Sequence, residues 1–287
     1  MHYADYKTIL SPHNNMNLYR GCTHGCIYCD ARSKCYQITH DFEDIEVKRN
    51  AAEILEAQLL RRRRPGIITT GSMCDPYLPL EKSLRLTRRC LELIERYGFG
   101  LSILTKSALI TRDTDILKAI NEQTKCVVQM TLTTYDERLC KILEPRVSTT
   151  LERVRALEAM REAGIPTVVW FSPVLPFIND TEENLRGILS HCARAGVRGI
   201  ISFGFGVTLR EGDREYFYAN LDRHFPGVKE RYIREFGNSY ECLSPNNARL
   251  TELFRSLCGE YGITCDFDSV SAYLNKFERK ECQLSLF

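Results

Sequence analysis

Between residues 65 and 206 short apolar runs alternate with longer amphipathic stretches in an almost even register, which narrows the fold more than any other feature. "PGIITTGS" (65–72), "FGLSILTKS" (99–107), "CVVQMTLTT" (126–134), "PTVVWFSP" (166–173) and "GIISFGFG" (199–206) read as buried strands. Helical periodicity occupies the intervals, in "VKRNAAEILEAQLLRRRR" (47–64), "LEKSLRLTRRCLELIERYG" (80–98), "DTDILKAINEQ" (113–123), "LERVRALEAMREAG" (151–164) and "TEENLRGILSHCARAG" (181–196). A first strand near "NNMNLY" (14–19) brings the pattern to six βα units. Strict alternation means a parallel α/β sheet wrapped by helices, and its evenness favours a partial (β/α)6 TIM-like barrel over an open doubly wound sheet.

This reading assigns residues 1–210 to the barrel core and 211–287 to a helical and irregular C-terminal extension packed on it, with one clear helix in "NNARLTELFRSLCGEYG" (246–262). A hydrophobic fraction of 44% is enough to fill such a core. In either α/β architecture the working surface lies at the carboxyl ends of the strands. Here those ends are "GSMCDPYLPLE" (71–81), "TKS" (105–107), "TLTT" (131–134), "SPVLPF" (172–177) and "GFG" (204–206), together with the loop after the first strand.

That loop, "YRGCTHGCIYCDA" (19–31), holds Cys22, Cys26 and Cys29 with three and then two residues between them. A structural zinc site wants a closed tetrahedron, and no second cysteine pair or Cys/His pair stands ready to complete one. Three cysteines suit an iron–sulfur cube whose fourth iron stays open to a ligand. A knuckle completed by a distant cysteine, or three incidental thiols, are the alternatives, and Cys35 is either an extra ligand or a packed helical cysteine. Thirteen cysteines in 287 residues, odd in number and scattered, do not form a disulfide scaffold. No secretory signal or membrane-spanning run is apparent, so the cytoplasm is the expected location, with no membrane partner. Thirty-nine basic against thirty-seven acidic residues leave no global field toward nucleic acid, so any such contact is local.

Cys-x3-Cys-x2-Cys after the first strand of a (β/α)6 pattern resembles the radical S-adenosylmethionine (SAM) superfamily. "DPYLPLE" (75–81), "LTKS" (104–107), "TLTTYDERLCKILEPR" (131–146) and "SPVLPFIND" (172–180) resemble its spore photoproduct lyase-like subgroup. The resemblance implies a [4Fe–4S] cluster on Cys22, Cys26 and Cys29 and S-adenosylmethionine chelating the open iron. It further implies a lyase-like enzyme that makes a 5′-deoxyadenosyl radical to abstract a substrate hydrogen, a low-potential electron donor of flavodoxin or ferredoxin type, and DNA repair or modification as its setting. A radical enzyme acting on a peptide or small metabolite, or an iron–sulfur electron carrier or binding protein without radical chemistry, are the rival functions.

The expected cofactor-facing groups are Lys106, whose ammonium suits the carboxylate of the methionine part, Ser72 and Asp75 in the turn after the second strand, and Thr131 and Thr133, which alternate on one strand face. Cys74 is the candidate hydrogen-atom donor and Tyr28 the candidate relay, because the subgroup uses a cysteine in this segment and tyrosines flanking the third cluster cysteine. Asp30 stands where the second tyrosine is expected, and Cys74 directly precedes the Asp, a departure from the donor's register. Glu144 and Arg146 are expected to pair and order their loop. The terminal "QLSLF" (283–287) resembles the peptide that replication and repair proteins insert into the sliding clamp, with Leu284, Leu286 and Phe287 as anchors after Gln283.

Overall fold

The computed structural model describes residues 1–280. Six parallel strands form the main sheet: β1 (Asn15–Met16), β2 (Ile67–Thr70), β3 (Gly100–Thr105), β4 (Cys126–Thr131), β5 (Thr167–Trp170) and β6 (Gly199–Ile201). Their order in the sheet is their order in the chain. A doubly wound sheet reverses order at a switch point, so this singly wound series is a partial barrel. Every residue of β4 is buried, as expected for a strand covered on both faces, which is why its sequence reads as an unbroken apolar run.

Helices α1 (Ala51–Arg61), α2 (Leu86–Arg96), α3 (Thr114–Gln123), α4 (Thr150–Glu162) and α5 (Glu182–Ala195) connect successive strands. Their ends follow local chemistry: Thr149 and Glu152 close a capping box on α4, and Gly196 ends α5 in the left-handed region. The helix 47–64 expected from periodicity is shorter: residues 47–48 belong to the Glu46–Lys48 strand, α1 begins at Ala51, and it stops at Arg61 with residues 61–64 exposed to water.

After β6 the chain forms an antiparallel pair, β7 (Gly206–Thr208) and β8 (Glu241–Leu243), separated by α6 (Asp213–His224) and α7 (Val228–Phe236). Then α8 (Asn247–Tyr261) packs on α5, Thr264 accepts a backbone hydrogen bond from Ile200 at the sheet edge, and α9 (Phe267–Asn275) covers β6. A small separate sheet near the N-terminus joins His2–Ala4, Glu46–Lys48 and Tyr19–Arg20. Among the described residues no helix is long and apolar enough to cross a membrane. The clamp-like segment Gln283–Phe287 lies outside the described residues.

Candidate active site

The carboxyl ends of the strands open on a cavity of about 650 Å³. The loop after β1 forms one wall and carries Cys22, Cys26 and Cys29, the first two buried and the third half-buried. Backbone contacts fix this loop along its length: Cys22 N–H donates to Phe42 O (2.8 Å), Ile27 N–H to Leu143 O (2.9 Å), and Arg146 N–H to His24 O (3.1 Å). Gly21 enters the loop with φ +83°, and a Cβ there would lie 2.5 Å from Phe42 O, so only glycine fits.

The three sulfurs do not all lie within 4.8 Å of one another. Around a tetrahedral zinc with bonds of about 2.3 Å, sulfurs sit roughly 3.8 Å apart. The wider set suits a larger iron–sulfur unit held by three thiolates, so the donors fit a [4Fe–4S] cluster. Burial pushes the free Cys29 thiol up to about 11 and Cys26 well above its ordinary value. A hydrogen bond with Cys74 has the opposite effect on Cys22, holding it low against the cost of burial. Lys106 is the compensating cation. Burial works against its charge, but Cys26, Glu144 and Cys29 outweigh that and raise it, so it stays an ammonium.

Asp75 spends its carboxylate on the protein. Oδ1 accepts from Tyr77 N–H (2.8 Å) and the Thr105 hydroxyl (2.6 Å), and Oδ2 accepts from Lys106 N–H (2.7 Å). His24 Nδ1 lies 3.5 Å from the same Oδ2. The Asp75 turn thereby ties the ends of β2 and β3 to the cysteine loop and fixes the backbone from which Lys106 projects. Cys74, buried beside it, donates its thiol hydrogen to Gly21 O (2.9 Å) and faces Cys22.

Behind the loop, the Tyr28 hydroxyl donates to Glu144. Glu144 forms a fully buried ion pair with Arg153 of α4, not with Arg146, which is exposed. The Glu144–Arg146 pairing expected from "EPR" is therefore corrected. Arg153 reaches back nine residues to Glu144 and also donates to Thr131 O (2.7 Å) and Ser148 O (2.9 Å), satisfying carbonyls that an exposed arginine would leave to water. Cys35 lies in a short 3-10 helix (Lys34–Tyr36), exposed beside Arg210 rather than packed, and does not line the cavity.

Ser72, Cys74, Asp75, Lys106, Thr131 and Tyr28 all line the cavity with the three cluster cysteines. Thr133 does not. It lies past the end of β4, buried, with its hydroxyl unpartnered among the described residues. Sequence reading passed over Trp170, Phe203 and Tyr240, which also line the cavity. Phe203 is 58% exposed, and its ring lies 5.5 Å from that of Trp170. The available signal was the chain's single Trp at the carboxyl end of a strand and a Phe just past the next one.

The family model described as the radical SAM superfamily matches residues 16–189. An uncharacterized protein of Mycobacterium tuberculosis is 32% identical over 263 residues, spanning 88% of this chain and 75% of that one. A radical SAM Nalpha-GlyT isomerase of Pseudomonas phage M6 is 25% identical over 182 residues, 63% of this chain and 36% of that one. Among solved structures, a spore photoproduct lyase variant with bound AdoMet and dinucleoside spore photoproduct superposes with a TM-score of 0.60 at 15% identity, covering 85% of this chain and 72% of that one.

Proposed function

This chain belongs to the radical SAM superfamily, and from that premise we propose that it abstracts a hydrogen atom from a substrate carrying a nucleobase. It is an enzyme of spore photoproduct lyase-like fold whose cofactors are a [4Fe–4S] cluster and S-adenosylmethionine. When bound, and given one electron from a low-potential donor, the two would supply a 5′-deoxyadenosyl radical for hydrogen abstraction.

The residues of this chain then have separable tasks. Cys22, Cys26 and Cys29 hold the cluster, and Cys74, beside Cys22, donates to Gly21 O at the entry to their loop. Lys106 keeps a positive charge where an anionic carboxylate of the methionine part would be paired. Ser72 and Thr131 offer hydroxyls on the same wall. Cys74 remains the candidate for returning a hydrogen atom, since burial and its bond with Cys22 keep it as a thiol, the form that carries the hydrogen to be given. Tyr28 is held by Glu144 between two ligand cysteines and is the candidate relay.

The observation that carries the nucleobase reading is the aromatic lining of the cavity. Phe203 and Tyr240 are large rings left exposed, 58% and 45%, in the lining of the cavity that holds the cysteines, with the half-buried Trp170 ring beside Phe203. Exposed rings at the mouth of a polar site are stacking platforms for planar bases, worth about 1–3 kcal/mol per base. The dinucleoside bound to the structurally similar lyase supports the same class.

The test uses anaerobic cluster-loaded protein with dithionite and S-adenosylmethionine. Base-deuterated single- and double-stranded oligonucleotides should raise 5′-deoxyadenosine release above the substrate-free level and place deuterium in it, and Phe203→Ala should weaken oligonucleotide binding roughly tenfold. Stimulation by peptides or small metabolites with none from any nucleic acid would overturn the nucleobase assignment and leave the superfamily chemistry intact.

A further inference from the structure

Far from the cysteine loop in composition but joined to it by backbone, a second donor set lies in the N-terminal sheet. His2, His40 and Glu46 each offer one ligand atom, and these atoms all lie within 4.8 Å of one another, on side chains that are all partly buried. We propose that this set is a structural zinc site.

Four features of the site argue for a metal. His2 and Glu46 are register partners in the parallel pairing of His2–Ala4 with Glu46–Lys48, so the backbone presents both side chains on one face. His2 Nδ1 lies 2.9 Å from Asp44 Oδ2 and donates to it, which puts the lone pair on Nε2, and Nε2 lies 3.5 Å from Glu46 Oε2. His40 repeats the arrangement: Nδ1 lies 2.9 Å from Asp41 O, while Nε2 is buried with no hydrogen-bond partner among the described residues. The two rings meet edge to face at 4.9 Å.

A histidine whose Nδ1–H is held by a carboxylate or carbonyl, leaving Nε2 to point at a carboxylate, is the tautomer and orientation that metal-ligating histidines require. An orphaned buried imidazole nitrogen otherwise costs stability. Ligand atoms around zinc with bonds of 2.0–2.1 Å lie about 3.3 Å apart, so the widest pair here need close by roughly 1.5 Å. Two imidazoles and a carboxylate suit zinc better than calcium or magnesium, and the three-ligand set leaves a fourth position for water. Tyr6 donates to the other Glu46 oxygen, orienting the carboxylate, and Arg20 and the N-terminal amine lie near Glu46 and Asp44.

The ion's place in the fold gives it a task. The Glu46–Lys48 strand also pairs with Tyr19–Arg20, two residues before Cys22, and Phe42 O accepts the Cys22 N–H at 2.8 Å. Zinc at this site cross-links His2–Ala4, the 40–44 turn and Glu46–Lys48, the strand that pairs with the entry to the cysteine loop.

The test takes untagged full-length protein, cluster-loaded so that its cysteines are occupied, and equilibrates it anaerobically with one equivalent of zinc chloride before desalting. About one zinc per chain should remain, with zinc-edge absorption showing nitrogen and oxygen at about 2.0–2.1 Å and no sulfur shell. His40→Ala and Glu46→Gln should lose the zinc while keeping iron content and far-ultraviolet circular dichroism, and Asp44→Asn should bind 10–100-fold more weakly. No retained zinc, zinc on sulfur, or wild-type zinc content in both His2→Ala and His40→Ala would overturn the assignment. The last of these would mean that the two rings serve only a proton shared with Glu46.

Discussion

Replacing Arg153 with methionine should be the most damaging single change behind the site, and its size can be worked from the contacts. Both partners of the Arg153–Glu144 pair are fully buried, and Arg153 also satisfies the carbonyls of Thr131 and Ser148. Removing one member of a buried pair leaves an uncompensated charge, at a cost of about 3–5 kcal/mol. Lys106 lends Glu144 a second positive neighbour, which places the expected loss toward the lower figure. With an m-value of about 3 kcal/mol/M in urea, the unfolding midpoint should fall by roughly 1–1.7 M. Adding Glu144→Gln to Arg153→Met removes the stranded charge while keeping an acceptor for the Tyr28 hydroxyl, and should recover at least ~1 kcal/mol of the loss. Urea titrations followed by circular dichroism under nitrogen measure both. A loss under ~1 kcal/mol for the single variant, or a double variant less stable than the single, would refute the view that this pair organises the wall behind the cluster.

The same pair sets a pH dependence. Burial opposes ionisation of Glu144, but Arg153 and Lys106 prevail and hold its carboxyl below the usual range. A depressed folded value means stability present above the unfolded value of about 4.3 and lost as pH falls through the folded one, so Glu144→Gln should flatten the decline in unfolding midpoint below about pH 5. Alanine at Cys22, Cys26 or Cys29 should each abolish the cluster's iron and its absorption, whereas Cys74→Ala should keep iron at the wild-type level, and iron loss there would make Cys74 a ligand. Lys106→Met should weaken S-adenosylmethionine binding to the loaded protein roughly 10–100-fold by equilibrium dialysis without loss of iron, the worth of one charge-assisted hydrogen bond. Unchanged affinity would remove Lys106 from the cofactor site. Deleting residues 283–287 should abolish retention on an immobilised sliding clamp, and unchanged retention would end the clamp proposal.

Period and spacing along the chain were enough to read the α/β class, the six βα units and a loop that brings Cys22, Cys26 and Cys29 to one cavity. Strands buried on both faces must be continuously apolar, helices must alternate, and a cluster with one open iron needs three thiols on one short loop. Lys106, Ser72, Asp75 and Thr131 were legible as cavity residues for the same reason, since each follows or ends a strand and the strands run parallel. What the chain order could not tell is which distant groups meet. Arg153 reaches Glu144 instead of leaving it to Arg146 two residues on, and His40 crosses to His2 and Glu46, because side-chain partners are chosen by the packing of helices and strands in three dimensions. Thr133 shared a face with Thr131 only while β4 was assumed to continue, and the strand ends at Thr131. Local sequence sets the period of each element, whereas the burial of one element against another decides which polar groups must satisfy each other away from water, and that decision belongs to the tertiary structure alone.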